Sequence, residues 1–131
     1  MIGVDTNILI RLLVDDDKSQ SERAARFFSL RTEADPAFIT NVVLVEMIWT
    51  LRRQYGYPAS RIVDAIEALT QRADIRVEQH DIVTQAVALS RGGGDFGDAL
   101  VSLIAQAAGC HQTVTFDQKA ARRIPAMELL A

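Results

Sequence analysis

Four carboxylates occupy positions where a carboxylate either ends an element or interrupts an apolar one. Asp5 closes the short apolar run at residues 2–5, and Asp117 closes a second run at residues 113–116. Asp98 stands at the head of an apolar stretch with helical spacing that continues to Ala108 and Gly109. Glu46 lies between Val42-Val43-Leu44-Val45 and Met47-Ile48-Trp49, so partial burial is expected. A buried, ionised carboxylate costs several kcal/mol unless a cation or hydrogen-bond donors compensate it. Each Asp has an ordinary alternative role as a helix N-cap, worth about 1 kcal/mol. Glu46 could likewise face solvent from an amphipathic helix. Gathered at one sheet edge, however, the four would raise one another's pKa values unless a cation were present. Oxygen ligands with no nearby His or Cys suit a hard cation, Mg²⁺ or Mn²⁺. Such a site supports phosphoryl transfer to water, and so a nuclease.

The elements that must position these groups follow from the hydrophobic pattern. Residues 2–5 read as a buried strand, and Asp5-Thr6-Asn7 as the start of a helix carrying Ile8, Leu9, Leu12 and Leu13. Asp15-Asp16-Asp17 reads as a turn, and Ser19 with Glu22 as the capping box of a second helix. Strands are expected at residues 37–40, 75–77 and 113–116, with an edge strand at 127–130. Helices are expected from Asn41 to about Tyr55, from Pro58 as N1, over residues 81–90, and from Asp98. Gly92-Gly93-Gly94 reads as a hinge; it lacks the Lys-Ser/Thr of a phosphate-binding loop. Short apolar strands alternating with helices predict an α/β sandwich on a parallel sheet, with ligands at the carboxyl ends of the strands.

The chain has 131 residues, 49% of them hydrophobic and 24% charged, without repeats or low-complexity linkers. One domain over residues 1–131 is expected, large enough to bury about two-thirds of its unfolded surface. The single cysteine, Cys110, excludes an internal disulfide or a zinc cluster and reads as a small buried hydrophobe. No apolar run approaches the roughly 20 residues that span a bilayer. The opening Met-Ile-Gly-Val-Asp carries no basic leader, so a cytoplasmic protein with no membrane partner is expected. The net charge of −3 argues against coating nucleic acid by bulk positive charge. Setting the four acids aside, thirteen acids face fourteen bases, so location matters more than the total. His80 and His111 read as surface residues, and Trp49 and Phe38 as core or contact residues.

Val-Asp-Thr-Asn-Ile-Leu at the N-terminus, Glu46, Asp95-Phe96-Gly97-Asp98-Ala99-Leu100 and Thr115-Phe116-Asp117 resemble, in order and spacing, the motifs of the PIN domain. The resemblance is to its VapC-like branch, the ribonuclease toxins of type II toxin–antitoxin pairs, and covers essentially the whole chain. It implies a three-layer sandwich with a central parallel sheet of about four to five strands. It also implies a catalytic, metal-binding pocket of Asp5, Glu46, Asp98 and Asp117, with Asp5 and Asp98 the most direct ligands of Mg²⁺ or Mn²⁺. Thr6, Asn7 and Thr115 match supporting positions, Asn7 by holding the Asp5 loop, whereas Asp95 is either an additional acid or a cap. Gly97 departs from the small side chain more usual there. The implied reaction is endonucleolytic RNA hydrolysis by in-line attack of an activated water, leaving a 5′-phosphate and a 3′-hydroxyl.

Arg11, Arg52, Arg53, Lys119, Arg122 and Arg123 are candidates for holding the RNA backbone, or else members of solvated helix faces. The implied partners are a VapB-like antitoxin and a second copy in a homodimer. Three rival readings are weaker. A haloacid-dehalogenase-type phosphatase wants a second Asp where Asn7 stands, and a receiver-like module wants paired acids at the first strand end, whereas Asp16-Asp17 lies a helix away. The third is a non-catalytic PIN fold that binds partners or RNA without cutting; the four intact acids argue against it, and it stays open as the alternative.

Overall fold

The computed structural model describes all residues from Met1 to Ala131. The chain forms two compact units, Met1–His80 and Asp81–Ala131. In the first, β1 (Ile2–Gly3), β2 (Ala37–Ile39) and β3 (Ile75–Val77) pair in parallel in that order. Ile2 is in register with Ala37, and Ala37 with Ile75. The crossovers are helical, as parallel pairing requires. Helices α1 (Thr6–Leu13) and α2 (Lys18–Ser29) join β1 to β2, and α3 (Asn41–Arg53) and α4 (Ala59–Thr70) join β2 to β3. Leu9, Ile39, Leu44, Met47, Leu51 and Ile66 form a core with no solvent exposure.

The second unit contains α5 (His80–Arg91, its first residue shared with the boundary), α6 (Phe96–Ala107), β4 (Thr113–Thr115), α7 (Gln118–Arg123) and β5 (Met127–Leu129). β4 and β5 pair in parallel, Thr113 with Met127. Val83, Ala86, Ala99 and Leu100 are buried, and buried Ser102 is satisfied by donating its hydroxyl to the Pro125 carbonyl at 2.9 Å. The α/β class and the parallel pairing are as expected. The five strands are two to three residues long and form a three-stranded and a two-stranded ladder.

Several local expectations are corrected. β1 is not a buried strand, because Ile2 is exposed and only Val4 turns into the core. Helix α2 is capped by Asp17, whose side chain accepts from the Gln20 amide, leaving Ser19 inside the helix. Thr40, not Asn41, caps α3 by accepting from the Val43 amide; the Asn41 amide donates to Glu78 Oε1 at 2.8 Å. Pro58 is the N-cap residue of α4 rather than N1. Cys110 is exposed, just beyond the end of α6. Trp49 is 54% exposed, with the Arg53 guanidinium 4.0 Å from its ring centroid.

The glycine triplet is a packing device rather than a hinge. Gly93 has φ +108°, and a Cβ there would stand 3.1 Å from Arg123 Nη1; at Gly94 it would stand 2.3 Å from Ile124 Cδ1. The missing side chains seat the end of α7. The cap reassignment yields a direct test by urea denaturation. Asp17→Ala and Thr40→Ala should each cost about 1 kcal/mol, whereas Ser19→Ala should stay within about 0.5 kcal/mol. A loss at Ser19 equal to that at Asp17 would restore the capping box.

Candidate active site

In the first unit the Asp5 carboxylate caps α1, accepting from the Thr6 amide at 2.7 Å. That places Thr6, itself buried, in the first turn, where its hydroxyl donates to Glu46 Oε2 at 2.8 Å. Glu46 is solvent-exposed, contrary to its apolar sequence neighbours, because Val43, Leu44 and Met47 take the inward face of α3. Asp5, Thr6, Asn7, Arg11 and Glu46 line one cleft at the carboxyl end of β1. Around Asp5 the hydrogen bonds are those of its carboxylate with the Thr6 amide and of the Thr6 hydroxyl with Glu46. Arg11 is paired with Asp16, whose other oxygen accepts from the Tyr55 hydroxyl at 2.6 Å.

In the second unit the acids are Asp95, Asp98 and Asp117. Asp95 caps α6, its Oδ2 accepting from the Asp98 amide at 3.1 Å. Asp98 therefore lies inside the first turn instead of beginning the helix. Gly97 leaves room for that cap, since a Cβ there would stand 3.1 Å from Asp95 Oδ2. Asp117 caps α7 by accepting from the Ala120 amide at 3.0 Å, and its own amide donates to Thr115 Oγ1 at 3.0 Å. Asp95, Asp98 and Asp117 share a cleft of about 290 Å³ with Lys119 and Arg123. Arg122 is exposed and does not line it.

Asp98 has a perturbed carboxyl. Burial pushes its carboxyl above the ordinary 3.8, and the negative charges of Asp95 and then Asp117 push it further. Within neither unit do three or more His, Cys, Asp or Glu side chains form a complete metal site. Asp5 and Glu46 line one cleft; Asp98 and Asp117 line another.

Sequence reasoning did not single out Glu78, which ties the end of β3 to the start of α3. It also did not single out Phe116 apart from its motif, although the ring is 81% exposed. A large aromatic between two site residues, Thr115 and Asp117, was the available signal.

The family profile of the PIN domain matches residues 2–125, and the chain belongs to that family. The family's three-layer α/β fold agrees with the class read from the sequence. The chain is also similar to the VapC ribonuclease of Aquifex aeolicus (strain VF5), with 23% identity over 117 residues. That alignment covers 88% of this chain and 87% of the relative. No helix is long and apolar enough to cross a membrane.

The raised Asp98 carboxyl has a stability consequence with a definite sign. The folded state holds this proton to higher pH than the unfolded state does, so stability falls as pH rises through the window above 3.8. Asp98→Asn should therefore raise the melting temperature at neutral pH, and the gain should vanish at a pH low enough to protonate the carboxyl in both states. A carbon-detected NMR titration should place Asp98 above 3.8, and lower in Asp95→Asn or Asp117→Asn. An Asp98 that titrates at or below the ordinary value would contradict this electrostatic picture.

Proposed function

We propose that this chain is a divalent-cation-dependent endoribonuclease, the toxin of a type II toxin–antitoxin pair, in which Asp5, Glu46, Asp98 and Asp117 act together. The observation that carries the reading is the cleft in which Asp95, Asp98 and Asp117 face one another beside Lys119 and Arg123; burial first, and then the two neighbouring carboxylates, raise the Asp98 carboxyl there. Membership of the PIN family across residues 2–125 and the VapC relative support the same activity. The family match spans both units, which supports their working as one domain.

The donors are all oxygen, the chemistry of Mg²⁺ or Mn²⁺. Asp5 and Asp98 would hold the ion most directly, with Glu46 and Asp117 directly or through water. A cation held by these residues would supply an activated water and neutralise charge developing on the phosphate. The chain's own groups do the rest. The Thr6 hydroxyl fixes the Glu46 carboxylate, and Thr115 fixes the turn that presents Asp117. Asp95 serves as cap and as a source of field on Asp98. Lys119 and Arg123, beside the acids, would hold backbone phosphates, with Arg11, Arg52, Arg53 and Arg122 as further contacts.

Val42, Val45 and Trp49 expose an apolar stripe on α3 at helical spacing, which supports an interface with an antitoxin or a second copy. A cytoplasmic site of action is part of this proposal.

The test is cleavage of cellular RNA in Mg²⁺ or Mn²⁺ by wild type, Asp5→Asn, Asp98→Asn and the double variant, each with an EDTA control. Each single change should reduce cleavage on the order of 100-fold or more. The double variant should be no worse than the poorer single one, because the residues act as a unit. Equal cutting by all four proteins, or cutting in EDTA, would overturn the reading.

A further inference from the structure

Phe116 is the most exposed large hydrophobic residue of the chain, at 81%. It is not a loose side chain on a loose loop. On its N-terminal side the Thr115 carbonyl accepts from the Leu130 amide at 2.8 Å. On its C-terminal side the Asp117 amide is held by Thr115 Oγ1, and the Asp117 carboxylate by the start of α7. The backbone on both sides is tethered, so residue 116 is held outward. The next helix brings Lys119 and Arg123 into the cleft of Asp95, Asp98 and Asp117. Arg123 is seated closely against Gly93, which has no side chain to displace it.

An outward aromatic ring, one residue from a site acid and followed by two cations, matches what a single strand of RNA needs. Every base offers a π-face to stack, and the phosphates need positive charge. We propose that Phe116 is a nucleobase-stacking residue for single-stranded RNA, with Lys119 and Arg123 gripping the adjoining phosphates. The proposal rests on the ribonuclease reading and adds a subsite to it: the base stacked on Phe116 sets where the strand enters the acidic cleft. Val114 and Leu130 are also exposed, so a protein is the competing occupant. The cations of the cleft that begins at the next residue, Asp117, favour a polyanion.

The test separates binding from cleavage. The full chain carrying Asp98→Asn is kept in EDTA and titrated against a fluorescein-labelled single-stranded oligoribonucleotide of about 12 nucleotides, with a duplex of the same sequence alongside. Added to that background, Phe116→Ala and Phe116→Leu should weaken single-strand binding about 5- to 150-fold, and Phe116→Trp should restore it. Duplex binding should not respond, since its bases are already stacked. Arg123→Gln should lower the slope of log affinity against log salt by about 0.7. Unchanged affinity in Phe116→Ala, or no binding of single strands at all, would overturn the proposal. So would a change in the sedimentation mass of the free protein with no change in RNA affinity, which would assign Phe116 to a protein interface. Phe116-dependent binding by a wild-type protein that cleaves no RNA would instead overturn the nuclease reading and leave the stacking residue standing.

Discussion

Carboxylates bonded to first-turn amides of helices are the constraint on which the proposed chemistry rests. Asp5, Asp95 and Asp117 are each an N-cap, and Asp98 sits in the first turn of the helix that Asp95 opens. A helix start offers unpaired N–H groups and a favourable field for negative charge. The fold therefore gains helix-starting energy from the same groups that make each cleft acidic. What the helix field does not offset is the crowding at Asp98, where burial and two neighbouring carboxylates keep the proton bound beyond its ordinary range.

In the proposed nuclease, capping and chemistry would be one role. Asp5, Asp95 and Asp117 are fixed through backbone hydrogen bonds instead of long side-chain networks, so little conformational freedom would be left to lose when a cation and a phosphate arrive. Glu46 lies in the middle of a helix and cannot be held by a cap. The Thr6 hydroxyl does that work, so the threonine after Asp5 serves both the first turn of α1 and the carboxylate of α3. The cations are fixed by packing as well: Arg123 is set in place by the bare backbone at Gly93.

The strand-end acids, the helix that begins after Asp5 and the parallel pairing were legible because periodicity and strand ends leave strong local signals. Helix starts were off by one to three residues, at Asp17, Thr40 and Asp95, since several polar residues in a row can each serve as a cap and only tertiary geometry chooses. Glu46 misled for a related reason. Apolar residues on both sides say nothing about which face of a helix a side chain takes, and here the inward face belongs to Val43, Leu44 and Met47. The glycine triplet looked like freedom, whereas its function is to admit Arg123 and Ile124. Phe116 was hidden inside a motif, because exposure is a property of the folded chain.

The most direct measurement is a calorimetric titration of Mn²⁺ into the wild-type protein, Asp5→Asn and Asp98→Asn over a range of pH. Expected is binding to wild type that releases protons as the pH falls toward the Asp98 range, with binding lost or strongly weakened in both variants. Wild-type affinity in Asp5→Asn, or no binding of the ion to the wild-type protein, would contradict a shared cation as the centre of this protein's chemistry.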